Sequence, residues 1–160
     1  MLFIECRSNQ LFRIDVDAMM TQVNEQFDEL DKTLEGTPEE MMQIIKEKRL
    51  ESGEYIVDPS YALIGQLMVT LKPGAVGETL QHVNMEAIGN MTIPGWYGDL
   101  LRASNEDSDI LTFLVRDDSF QIFKKARAIA WTQNIQASYE LLSTGDPIIF
   151  GLGGDISLAQ

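Results

Sequence analysis

The sequence predicts an α+β fold, with a mixed β-sheet and helices mainly on one face. Three observations predict it: an alternating apolar hairpin opens the chain, two amphipathic helices follow, and residues 110–151 describe a β-α-β-β unit. With 160 residues, the chain is long enough to bury a core as one domain. Within it we expect a hairpin and two helices over 1–51, a strand pair and an irregular segment over 52–109, and the β-α-β-β unit.

The first two strands are predicted at residues 2–6 and 11–14, because apolar side chains flank a polar, turn-like stretch at 7–10. Asp17 is then expected to cap a helix over residues 18–35. Apolar side chains recur in that range every three or four positions, which indicates one buried helical face.

A second helix is predicted to start at a complete capping box. Thr37 is placed as the N-cap, Pro38 as the first helical residue, and Glu40 three positions after the cap. The helix is expected to run to about residue 51, with basic residues in its last turns that complement the helix dipole.

The middle of the chain is predicted to contain short strands at 54–57 and 61–71, separated by a turn around a proline at 58–60. Glycines and a proline interrupt the pattern from 75 to 95. We therefore expect this segment to be the most irregular and mobile part of the chain, with at most a short helix at 78–88.

The C-terminal unit has the clearest pattern. Residues 110–115 are almost entirely apolar, which is typical of a central strand covered on both faces. Asp118 and Gln121 resemble a capping box for a helix over 119–133, and Asn134 suits the left-handed conformation that ends a helix. A short helix before this unit and two strands after its helix complete the prediction, at 96–103, 137–142 and 147–151.

This C-terminal unit resembles half of the globular domain of the ExbD/TolR family and soluble bacterial proteins of unknown function that share it. The matching positions are Phe113, Leu114, Val115, Arg116, Asp118, Phe123, Ala126, Arg127, Tyr139 and Glu140. In that family the globular domain associates with itself and with peptides, so the resemblance implies a groove or a sheet edge as the site. The family's transmembrane helix with its functional aspartate has no counterpart here, and proton-driven transport is not implied.

Composition excludes several classes of function. The formal net charge is −13, from 25 acidic and 12 basic residues, so nucleic-acid binding through a basic face is not expected. No apolar run is long enough to span a membrane, and the first nine residues have neither a basic start nor a long apolar stretch, so secretion by a signal peptide is not expected. The single cysteine, Cys6, excludes an internal disulfide and is expected to be a buried structural thiol in a cytoplasmic protein.

The search for chemistry finds no catalytic set. His82 is the one histidine, which argues against metal or acid–base sites built on several histidines, and no cofactor is expected. The candidate ligand-binding residues are the polar run after the central strand and an aromatic pair: Arg116, Asp117, Asp118, Ser119, Trp96 and Tyr97. The same aspartates also suit a purely structural role at a helix N-terminus.

Two main hypotheses follow. The first is a non-enzymatic module that binds a protein partner or forms a homo-oligomer. The second is an enzyme, or a protein that binds a small ligand or metal in a carboxylate-rich pocket near residues 116–119. The acidic segment 17–51 is either a solvated helical face or a docking surface for a basic partner. A third hypothesis is an inhibitor whose acidic face mimics nucleic acid.

Overall fold

The computed structural model describes residues 2–33, 36–61, 67–73, 82–83, 95–105 and 109–151, with the backbone alone at 82–83. Its strands are β1 Leu2–Arg7, β2 Gln10–Ile14, β3 Leu50–Ser52, β4 Tyr55–Tyr61, β5 Leu67–Pro73, β6 His82–Val83, β7 Ile110–Arg116, β8 Gln136–Leu142 and β9 Ile148–Gly151. Its helices are α1 Val16–Thr33, α2 Pro38–Lys48, α3 Trp96–Ala103 and α4 Phe120–Thr132. These elements confirm the predicted α+β class.

The chain divides into two compact units. Unit 1 comprises Met1–Ile14 and Glu78–Asp146, and unit 2 comprises Asp15–Gly77 and Pro147–Gln160. Each unit has its own sheet. Each unit is also built from two segments that are distant in the sequence. Within the described ranges, no helix is both long and apolar enough to cross a membrane.

The sheet of unit 1 has the strand order β6-β2-β1-β7-β8. β1 pairs antiparallel with β2, whereas β1 with β7 and β7 with β8 are parallel pairs. β7 is therefore central, as its two apolar faces predict. Phe113 lies opposite Tyr139, so the two strands joined by α4 are neighbours in one sheet.

One face of this sheet packs against α3 and α4, whose apolar sides carry the helical spacing expected from the sequence. The resulting core consists mainly of Ile4, Cys6, Leu11, Leu111, Phe113 and Val115 from the strands, and Tyr97, Leu101, Ile122, Phe123, Ala126 and Ala130 from the helices. Phe113 and Phe123 meet edge to face, with ring centroids 5.5 Å apart. This contact fixes α4 over the parallel strands.

The end of α4 confirms the role predicted for Asn134, which has a φ of 58°. Its backbone N–H donates to the carbonyl of Trp131, and the N–H of Ile135 donates to the carbonyl of Ala130. These two bonds form a Schellman motif, and the buried side chain of Ile135 supplies the apolar contact that accompanies it. The chain then enters β8 directly.

The sheet of unit 2 has the order β3-β4-β5-β9, with every pair antiparallel. Helices α1 and α2 contact each other, and they also contact β3 and β4 respectively. β9 confirms the strand predicted at 147–151, but it pairs with β5 in this sheet and not with β8. The β-α-β-β unit therefore contributes its last strand to the other sheet.

The capping box of α2 is confirmed: the hydroxyl of Thr37 accepts from the N–H of Glu40, whose carboxylate accepts from the N–H of Thr37. The predicted cap of α1 is wrong by two positions. The carboxylate of Asp15 accepts from the N–H of Ala18 at 3.1 Å, so Asp15 has the capping role expected of Asp17.

The turn predicted at 58–60 is also wrong, because Pro59 lies inside β4 opposite Val69. β3 pairs with β4 only as far as Val57, so the missing N–H of Pro59 removes no hydrogen bond to β3. Residues 50–52 form β3 and not the end of α2. The predicted helix at 78–88 is wrong at 82–83, which form a strand, and its other residues lie outside the described ranges.

Candidate functional site

The polar run predicted as a ligand site lies at one end of the sheet of unit 1. Because β1, β7 and β8 are mutually parallel, their carboxyl ends share this end of the sheet. The Ser8–Asn9 turn, residues 117–119 and residues 143–146 follow those three ends. Hydrogen bonds join the three connections. A ligand could therefore contact only the polar groups that these bonds leave available.

Arg116 is not presented to a ligand. Its Nε donates to Oε1 of Glu5 at 2.8 Å, and both side chains are more than nine-tenths buried. Its Nη1 donates to the carbonyl oxygens of Ser143 at 2.6 Å and Asp146 at 2.7 Å. The guanidinium therefore links β1, β7 and the connection that follows β8, and its role in this geometry is structural.

Asp118 and Ser119 hold the β1–β2 turn. Both carboxylate oxygens of Asp118 accept from the N–H of Ser8, at 3.2 and 3.1 Å. The buried hydroxyl of Ser119 donates to Asp118 at 2.6 Å and accepts from the N–H of Asn9 at 2.9 Å. Ser8 and Asn9 have φ values of 50° and 58°, as in a type I′ hairpin turn.

These bonds correct the predicted capping box at Asp118 and Gln121. The N-cap of α4 is Ser119, and its side chain makes no capping hydrogen bond. The physical reason is that both Asp118 and Ser119 are engaged with the backbone of the hairpin turn, which lies far away in the sequence.

Asp117 lies beside an open depression of about 430 Å³ lined by Asn9, Asp117, Asp118, Phe120 and Gln121. Its carboxylate accepts from the hydroxyl of Thr144 at 2.5 Å. The lining contains two carboxylates and no basic side chain. Arg116 and Ser119 do not line the depression, so only half of the predicted polar run reaches it.

Trp96 and Tyr97 lie on α3 and do not line this depression. The ring of Tyr97 is fully buried, and its hydroxyl donates to the carbonyl of Ala126 in α4 at 2.8 Å. Burial raises the pKa of Tyr97, as expected of a phenol in an apolar core. Trp96 contacts Tyr97 edge to face, so the pair joins α3 to the core.

The described residues contain no group of three or more His, Cys, Asp or Glu side chains that could hold a metal ion. Cys6 is buried in the core, and burial, with a smaller contribution from Glu5, raises the pKa of its thiol. A thiol with a raised pKa and no solvent access is a poor nucleophile. The side chain of His82 lies outside the described residues.

A different feature of unit 1 is exposed to solvent: strand β8 forms an edge of the sheet, paired only with β7 in the described part of the chain. Tyr139 and Leu141 are 49% and 58% exposed on this strand. They belong to the set of alternate residues opposite Leu111, Phe113 and Val115, which face α4. Apolar side chains therefore line the α4 side of a free strand edge.

Helix α4 contributes a neighbouring row of side chains, which we call the α4 flank: Phe120, Phe123, Lys124, Arg127 and Trp131. Their spacing of three and four residues places them along one side of the helix. The ring centroids of Phe123 and Tyr139 are 5.0 Å apart, so this side lies over β8. Phe120 and Trp131 are 41% and 55% exposed.

Sequence reasoning named Tyr139 only as a position of a family resemblance, and it missed Leu141 and Trp131 as surface features. A signal was present in QASYELL, where apolar and polar residues are mixed without the continuous apolar run of β7. That mixture is typical of an exposed strand. Glu5, inside the apolar run LFIEC, was the corresponding signal for a buried ion pair.

No protein-family model, no curated protein and no solved structure matches this chain. The functional argument therefore depends on the residues and their geometry.

Proposed function

We propose that unit 1 is a non-enzymatic protein-binding module that captures an extended segment of a partner along β8. The observation that supports this function best is a seven-residue edge strand with exposed apolar side chains. An added strand gains main-chain hydrogen bonds from such an edge, and side-chain contacts provide specificity.

Edge strands of soluble proteins are commonly protected by shortness, by proline or by lysine. β3, an edge strand of the unit 2 sheet, follows that rule because it has three residues. β8 has seven residues and contains no Lys, Arg or Pro. Its length and composition therefore fit a strand that is used for binding.

The second face of β8 supplies a further argument. Glu140 is the one charged residue of this strand, and its Oε2 is buried without a hydrogen-bond partner among the described residues. A buried unpaired carboxylate oxygen is costly. A donor from an added strand would satisfy it, while apolar groups of that strand covered Tyr139 and Leu141 on the opposite face.

The resemblance to the ExbD/TolR globular domain favours the same function, since that family binds peptides and associates with itself. The alternative, a ligand or metal pocket near residues 116–119, has the open depression beside Asp117 and Asp118 in its favour. Against it, Arg116 and Ser119 are committed to internal hydrogen bonds. A cytoplasmic location belongs to the proposal and is supported by the buried free thiol of Cys6.

The test is selection of a displayed random dodecapeptide library on the immobilised full chain, followed by hydrogen exchange of the chain with the strongest peptide. We expect enriched peptides, and slower exchange of the backbone amides of residues 136–142 when peptide is bound. The matched control is Leu141→Glu, which places a charge among the apolar side chains of the edge and should abolish enrichment. No enrichment over that variant, or protection confined to another segment, would contradict the proposed function.

A further inference from the structure

We infer that the segment captured at β8 is acidic, an inference that rests on the proposed function and specifies the partner. The starting observation is the charge of α4. This helix carries Lys124, Lys125 and Arg127 and no acidic residue, in a chain whose net charge is −13. Such a local reversal of charge is a feature that a charged partner can recognise.

The three cations of α4 have no carboxylate within ion-pairing distance among the described residues. Other cations of unit 1 do have such partners: Arg116 pairs with Glu5, and Arg102 pairs with Asp99. Because no described carboxylate neutralises these three cations, they are available to an external carboxylate. An acidic segment would therefore gain new ion pairs without breaking existing ones.

Arg127 is held in position by aromatic rings. Its Cζ lies 4.4 Å from the ring centroid of Trp131 and 5.3 Å from that of Phe123. Cation–π contacts restrict the side chain while leaving the N–H donors, which lie in the plane of the guanidinium, available. A guanidinium ordered before binding loses less conformational entropy when a carboxylate arrives.

Lys124 and Arg127 both belong to the α4 flank, which the contact between Phe123 and Tyr139 places over β8. In a strand added to β8, alternate side chains would share the sheet face of Tyr139 and Leu141 and lie beside this flank. A segment with acidic and apolar side chains at those positions would match both the cations of the α4 flank and the apolar side chains of β8. Lys125 has Gln121, Ile122, Ala128 and Ile129 as its helical neighbours and so lies on another side.

A second copy of this chain is a poorer occupant of the same edge. Two-fold pairing of β8 with itself would place two positively charged α4 flanks on the same face of a shared sheet. This apposition of like charges favours a different, acidic chain as the partner.

The test uses the strongest dodecapeptide from the selection, labelled for fluorescence anisotropy, and a version in which its Asp and Glu are replaced by Asn and Gln. We expect the selected peptides to be acidic, and the amide version to bind at least tenfold more weakly. Lys124→Glu should weaken binding of the acidic peptide about tenfold, whereas the matched control Lys125→Glu should change it less than about twofold. Raising salt should weaken the wild-type complex.

Failure of this inference is distinguishable from failure of the proposed function. Peptides that bind at β8 but are neutral or basic, and that tolerate Lys124→Glu, would overturn the acidic partner and leave the module intact. Absence of any selected peptide would overturn both. A mass by light scattering that doubles with concentration and reverts in Leu141→Glu would identify a second copy as the occupant and overturn the inference.

Discussion

Two regions of unit 1 use their polar and apolar groups differently. One is the group of three connections that follow β1, β7 and β8, which we call the loop cluster, and the other is the free edge of β8. In the loop cluster, Asp118, Ser119 and Arg116 make hydrogen bonds inside unit 1. At the edge, Tyr139 and Leu141 face solvent. A cluster of charged and hydroxyl side chains can thus have a structural role, while an edge strand without such a cluster supplies the accessible surface.

The largest expected effect comes from removing the buried cation of the loop cluster. Arg116→Met leaves Glu5 buried without its main counter-charge, and two backbone carbonyls lose their donor. We expect the free energy of unfolding to fall by about 3–5 kcal/mol in chemical denaturation. Arg102→Met is the matched control, because its ion pair is exposed and should matter by less than about 1 kcal/mol. Equal losses in the two variants would contradict a structural role for Arg116.

A pH titration tests the buried, helix-facing side of the same unit. Burial raises the pKa of Cys6 above its ordinary value of 9.0 and that of Tyr97 above 10.0. The folded chain therefore keeps two protons that the unfolded chain releases at high pH. The stability that depends on these two protons is complete below pH 9. It is lost by about 1.4 kcal/mol per pH unit above pH 9 for Cys6, and by the same amount above pH 10 for Tyr97.

The measurement for this pH dependence is denaturant unfolding between pH 8 and 11. Tyr97→Phe should flatten the decline above pH 10 because it removes one of the two titrating groups. A slope unchanged by Tyr97→Phe would show that the buried phenol does not contribute.

A smaller effect is expected from the hydroxyl that holds the hairpin turn. Ser119→Ala leaves the N–H of Asn9 without its acceptor and removes a donor to Asp118. We expect a loss of about 1–2 kcal/mol in the free energy of unfolding. Thr144→Ala, which removes an exposed hydroxyl in the same cluster, should cost less than about 0.5 kcal/mol. The reverse order would mean that the turn is not held as described.

The smallest effect on stability is expected at the edge itself. Leu141→Glu and Trp131→Ala alter side chains that are more than half exposed, so the free energy of unfolding should change by no more than about 0.5 kcal/mol. The same denaturation measurement checks this. A loss of several kcal/mol would show that these side chains serve the fold, and the contrast between the two regions would not hold.

Local signals in the sequence were sufficient for many single elements. The capping box at Thr37, the helix end at Asn134 and the central position of β7 each depend on a few adjacent residues, and each is confirmed. The strand pairing was not accessible in the same way. That β9 joins β5, and not β8, depends on contacts between distant segments that no local pattern encodes.

The candidate site shows the same limit. The sequence drew attention to Arg116, Asp117 and Asp118, but the groups that satisfy two of them, Glu5 and Ser8, lie about 110 positions earlier in the chain. Without knowledge of these distant partners, the sequence does not distinguish a structural carboxylate from a ligand-binding one. The exposure of β8 likewise follows from the strand order of the sheet, which places β8 at the end and β7 between β1 and β8.

The division of each unit into distant segments has a consequence for the order of events during synthesis. β1 pairs with β7, so Leu2 can form its sheet pair only after Leu111 has been synthesised. In the same way, Met68 of β5 can pair only after Gly151 has been synthesised. While the ribosome is still translating the second half, β1 and β2 lack their sheet neighbour on one side. We expect slow refolding after dilution from denaturant and a nascent chain that benefits from chaperones, because pairings with long sequence separation form late.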